Sequence, residues 1–194
     1  MCMILRFLIV GALGALLASA SETTVVGPGV QPSAGLTIGF VAQQSGQGLD
    51  MAHDITYEVL NAKSNRTVTV FLPEDLAQVC MLDLFNTEGE RVLKTTLGRQ
   101  LGARFDELEQ TVKLAERIGP RTIFQTSSNT VTTRSFRVDG GASMPLLPAP
   151  ERLFQITKPG TYTLRLQIQC YIPITNDIVR LYRLAPAEVS LIKR

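Results

Sequence analysis

The chain has no tryptophan, one histidine, three cysteines and few aromatic residues, which make up 6% of its 194 positions. Each shortage excludes something. With His53 as the only histidine, a multi-histidine zinc centre is out of reach. A Ser/His/Asp relay would have to use His53, in Met51-Ala52-His53-Asp54, and no Gly-x-Ser-x-Gly elbow occurs. His53 is therefore read as a surface residue. No Walker loop is present, and no alternating acidic run resembles a calcium loop. The sequence implies no metal, cofactor or catalytic residue.

Charge of one sign is also scarce. Lys and Arg number 19 against 17 Asp and Glu, a formal net charge of +2. The basic residues are scattered along the chain, so the sequence shows neither the concentrated basic face that nucleic acid requires nor a polybasic run for anionic lipid. No nucleic acid partner is expected.

Long hydrophobic runs are missing except at the start. Residues 7–17 are apolar, follow Arg6 and precede Ala18-Ser19-Ala20. One positive charge, a short apolar core and a small-x-small site form a secretory signal peptide. The core is about half the ~20 residues that a spanning helix needs. Residues 1–20 are thus expected to be removed, with the mature chain starting near Ser21 in the periplasm or outside the cell, without stable membrane insertion. Residues 21–35 hold Gly27, Pro28, Gly29, Pro32 and Gly35, the composition of a linker. Residues 36–194 are long enough for one domain.

Cys2 leaves with the signal, so Cys80 and Cys170 remain. Each shares an alternating apolar parity with its neighbours: Leu82 and Leu84 in one case, Leu164, Leu166 and Ile168 in the other. In strands that parity faces the core. An even pair in an oxidising compartment is expected to form a structural disulfide. A bridge closing roughly 90 residues would restrict the unfolded chain by about 4–5 kcal/mol in the entropy account.

Most of the domain reads as strands of four to eight residues bounded by Asn, Gly and Pro. Residues 105–118 differ. Phe105, Leu108, Val112, Ala115 and Ile118 recur at steps of three and four, Asp106 and Glu109 resemble a capping box, and Gly119-Pro120 resembles a helix stop. An amphipathic helix is expected there. With strands about every ten residues and no regular strand-helix alternation, the fold expected is mostly β, an antiparallel sandwich with one inserted helix.

Phe154-Gln155-Ile156-Thr157-Lys158-Pro159-Gly160-Thr161-Tyr162, leading into a long strand that ends at Cys170, resembles the late strands of exported bacterial immunoglobulin-like or fibronectin-III-like domains. Tyr57 to Asn61, Val68 to Leu72 and Leu82 to Gly89 resemble their early strands. The similarity covers roughly residues 54–172. It implies a non-enzymatic module that binds a protein or polysaccharide, or has a structural role.

Other residues carry narrower expectations. Residues 144–150 hold three prolines and are read as an edge segment, rigid enough to serve a protease-inhibitor-like domain because pre-ordering lowers the entropy cost of binding. Asp106, Glu107, Glu109 and Glu116, with Asp83, Glu88 and Glu90, are the carboxylates a hydrolase would draw on, which needs two of them across a cleft. Asn65-Arg66-Thr67 is a glycosylation sequon. Residues 43–47 and 126–133 are polar tips suited to contacts.

Overall fold

The computed structural model describes residues 35–40, 49–61 and 67–194. The chain is mostly β and forms a three-stranded sheet and a nine-stranded one. In chain order the strands are β1 (Leu36–Phe40), β2 (Leu49–Asp50), β3 (Tyr57–Asn61), β4 (Val68–Pro73), β5 (Cys80–Phe85), β6 (Thr111–Ile118), β7 (Arg121–Gln125), β8 (Thr130–Val138), β9 (Gly141–Ser143), β10 (Gly160–Pro173), β11 (Ile178–Arg183) and β12 (Ala187–Lys193). The expected signal peptide, the 21–34 part of the linker, the 43–47 tip and the Asn65 sequon lie outside the described residues.

The larger of two cores lies between β1-β3-β9 and the portion of the big sheet formed by β5, β10 and β12. Alternation dictates the inward residues. Tyr57, Val59 and Asn61 point in from β3, and Leu164, Leu166 and Ile168 pair across the sheet with Leu84, Leu82 and Cys80. All these leucines are buried. Each such leucine contributes about 1.5–3 kcal/mol by leaving water, so this face holds the two layers together.

β10 is 14 residues long, and its alternation stops near its end: Gln169, Cys170, Tyr171 and Ile172 are all buried. The reason is a change of neighbours. There β10 leaves the first core, pairs with β11, and meets β4 through Tyr171 and Phe71. From β4 the ladder runs through β8, β7 and β6 to β11, which returns to β10. The ring closes as a small antiparallel barrel of six strands, and closure removes the unpaired edges that these strands would otherwise present. Its interior is filled by Phe71, Phe124, Tyr171, Val112, Val131, Val179, Leu181 and Leu108. Phe71 and Phe124 meet edge to face, centroids 5.1 Å apart at 84°, the arrangement that ring quadrupoles favour.

The helix expected over 105–118 is corrected. A single 3-10 turn covers Phe105–Glu107, and Thr111–Ile118 is the strand β6. Val112 faces the barrel, whereas Ala115 and Ile118, assigned to the same helical stripe, are exposed. Thr111, Val112 and Ile118 are β-branched and suit a pleated strand. More decisively, β6 gains two flanking ladders, with β7 and β11, which a short helix cannot offer. Gly119-Pro120 is a hairpin turn, with Gly119 at φ +57°, and Asp106 binds Arg183. The helices among the described residues are single turns: α1 (Leu76–Val79), α2 (Thr96–Gln100) and α3 (Pro150–Leu153).

Candidate functional site

The proline-bearing segment after β9 runs along the edge of the three-stranded sheet. Met144 donates its amide to the Tyr57 carbonyl at 3.0 Å, and Leu147 donates to the Ile55 carbonyl at 3.1 Å. Ile55 returns a bond to the Leu147 carbonyl at 2.8 Å. Three steps along this segment thus match two along its partner, so one extra residue bulges at Pro145-Leu146. A bulge re-aims side chains. Met144 and Leu147 are buried while Leu146, between them, is 56% exposed. Pro145 and Pro148 have no amide to offer a further strand, which blunts this edge. The Ala149 amide donates to Asp54 Oδ1 at 2.9 Å, and Pro150 sits in the first turn of α3, where its missing N–H costs nothing. The result is one exposed leucine on a backbone fastened at both ends.

The carboxylates are not brought to one cleft. Asp106 accepts from Arg183, and Glu107 pairs with Arg104 at 2.6 Å. Glu109 accepts from the Ser127 amide at 2.8 Å and from its hydroxyl, tying down the 126–129 tip. Asp83, nearly buried, lies between Arg91 at 3.2 Å and Lys94 at 3.5 Å. Glu90 accepts from Asn86 at 3.0 Å. Glu88 and Glu116 are exposed, as is His53 in the turn before β3. Among the described residues no group of three or more His, Cys, Asp or Glu is placed to hold a metal ion.

No bridge joins the two cysteines expected to form a disulfide: Cys80 and Cys170 are both buried free thiols. Register supplies the reason. Cys80 lies directly opposite Ile168, so Cys170 is its diagonal neighbour on the same face. Diagonal partners across antiparallel strands sit at about 7–8 Å, beyond the ~4.4–6.8 Å between Cα atoms that a bridge requires. Cys80 Sγ contacts the Leu76 carbonyl at 3.5 Å. Burial pushes both thiols up to about 12, so neither is a nucleophile at neutral pH. The Tyr57 hydroxyl is buried beneath β3 without a partner among the described residues, and burial there raises its pKa.

Two arrangements give no signal in the sequence. Gln169 is fully buried where the two cores meet, donating to the Gln78 carbonyl at 2.6 Å and to the Phe105 carbonyl while accepting from Arg183 at 3.1 Å. The second is a pair of exposed isoleucines, Ile118 at the end of β6 and Ile174 in the turn after β10. A buried glutamine and an exposed isoleucine each break the hydrophobic pattern, and one chain without its partners in space cannot say why. No known protein family, curated protein or solved structure matches the chain.

Proposed function

We propose that this protein is an exported, non-enzymatic β-sandwich module that binds a protein or polysaccharide, or serves structurally, at the cell surface or in the periplasm. The observation carrying this reading is the Pro145-Leu146 bulge. It presents one apolar side chain on a backbone already ordered by the Met144, Leu147 and Ile55 hydrogen bonds, so a partner engaging it meets little ordering cost. The dispersal of the carboxylates among separate ion pairs favours binding over a hydrolase, which needs two of them facing one bond. Kinship with immunoglobulin-like domains draws support from Tyr162, whose hydroxyl donates back to the Lys158 carbonyl at 2.8 Å, as tyrosine corners do.

A protease-inhibitor-like role for residues 144–150 would use the same fastened loop. The macromolecular-binding reading is preferred because the Met144 and Leu147 amides are already donated to the Tyr57 and Ile55 carbonyls and are not free to pair with an enzyme strand.

The mature protein, immobilised and exposed to extracts and surface polysaccharides of its host, should capture a partner that Leu146→Ser releases at unchanged fold. Capture that is indifferent to both Leu146→Ser and Pro145→Gly would remove the loop from the reading. Mass spectrometry of the exported fraction should find a chain beginning near Ser21, and an intact Met1 there would refute export by signal cleavage.

A further inference from the structure

β6 and β11 run antiparallel, so the end of β6 and the start of β11 point the same way. The β6–β7 turn at Gly119-Pro120 and the β10–β11 turn at residues 174–177 therefore leave the barrel at one end. The second turn is fastened to the body of β6, where the Leu114 amide donates to the Asp177 carbonyl at 2.7 Å. Every residue from 115 to 121 and from 173 to 177 is exposed. Hairpin tips are ordinarily built from polar residues, Gly and Pro. Here one carries Ile118, 51% exposed, and its neighbour carries Ile174, 47% exposed.

The same end is basic. β8 runs toward it beside β7, with Arg134 opposite Arg121 and Arg137 beyond. Arg117 adjoins Ile118, and Lys113 and Arg180 stand on the wall below. Of the acidic groups nearby, Glu74 is held by Arg121 and Arg134 at 2.8 Å each, and Asp139 accepts from the Thr67 hydroxyl. Glu116 and Asp177 are exposed. Arg117, Arg137, Lys113 and Arg180 make no ion pair among the described residues.

We propose that this end of the barrel docks on an anionic bilayer surface, with Ile118 and Ile174 entering the headgroup boundary and the arginines meeting lipid phosphates. The form of the apolar surface selects this occupant. A protein partner needs a continuous patch of about 800 Å² on each side. Two narrow tips with one isoleucine apiece suit insertion between headgroups, where buried side chains and basic residues add their separate contributions. The arginine stems can lie along the interface with their heads on phosphate. This surface uses none of residues 144–150, so it stands or falls apart from the loop.

The test is co-sedimentation of the mature protein with phosphatidylcholine vesicles, with and without phosphatidylglycerol. Binding is expected only with phosphatidylglycerol and should weaken as salt shortens the reach of the charges. Ile118→Ser and Ile174→Ser should each weaken it about tenfold, and Arg117→Glu with Arg137→Glu should abolish it. Unchanged circular dichroism and melting of these variants would show an intact barrel. Leu146→Ser should bind as the parent does. Absence of binding to phosphatidylglycerol vesicles, as expected if the surface meets an acidic protein instead, overturns the proposal. Equal binding to both vesicle types, or undiminished binding of the isoleucine variants, overturns it as well.

Discussion

Arg183 and Gln169 face each other across β10 and β11, and Arg183 Nε donates to Gln169 Oε1 at 3.1 Å at the point where β10 passes from the sandwich core into the barrel. The Arg183 guanidinium also lies 4.8 Å above the Phe105 ring and reaches Asp106. The side-chain amide of Gln169 satisfies carbonyls from two separate connections, Gln78 and Phe105. A polar side chain this deep persists only when its groups are bonded.

Gln169→Leu should therefore destabilise the protein despite its greater hydrophobicity. It leaves the Gln78 and Phe105 carbonyls and an arginine without their partner, at a cost of about 2–4 kcal/mol. Urea unfolding would measure this, and a midpoint at or above that of the parent would show that the network is dispensable.

The thiols make a second test. Cys80 and Cys170 should resist alkylation in the folded protein and react in denaturant without prior reduction, since both are buried and free. A reducing agent should leave the melting temperature unchanged. Unfolded, unreduced protein that shows no titratable thiol in Cys80 and Cys170 would establish a bridge instead.

Gly98 lies in α2 directly under α3. A Cβ built there would fall 1.9 Å from the Leu153 carbonyl oxygen, a backbone atom that cannot swing aside. Gly98→Ala should destabilise by roughly 1–3 kcal/mol by forcing α2 and α3 apart, although alanine is the better helix former. A more stable variant in thermal melts would mean that the contact relaxes freely.

Acid should weaken the barrel through Glu74. Hydrogen bonds from Arg134 and then Arg121 hold its carboxyl below the usual value. The unfolded chain thus takes up a proton at higher pH than the folded one. The resulting stabilisation is present above the unfolded carboxyl value and is lost as pH falls through the folded one. Glu74 is half-buried, but the two arginines that bind it are exposed, so solvent screens these bonds and the effect is modest. Glu74→Gln should flatten the stability profile below about pH 4.5. An acid limb identical to that of the parent would assign the loss to other carboxylates.

Much of the architecture was legible in residue order alone. Alternation in Leu164, Leu166 and Ile168, and in Leu82 and Leu84, located strands β10 and β5 because one buried and one wet face impose a period of two. The three prolines of 144–150 marked an edge because proline cannot donate to a ladder. Local pattern failed where a residue had more than one possible neighbour. Phe105, Leu108 and Val112 satisfied a helical period while serving a turn and a strand, since only pairing with the distant β7 and β11 decides between them. Residues 91–95 likewise form no strand ladder and make isolated bridges from Arg91 to Phe85 and from Lys94 to Phe154.

The sequence by itself determined which side chains are apolar at alternate positions, where the turns fall, and that Cys80 and Cys170 point inward. It did so because these properties depend on backbone geometry over a few residues. Tertiary structure alone decided that the ring of strands closes, that the two thiols are diagonal and not opposed, and that the turns after β6 and β10 point the same way. Each of these is a relation of register between strands remote in sequence. A shift of one residue in that register exchanges the faces of a strand, and nothing within a single strand records which partner it will have.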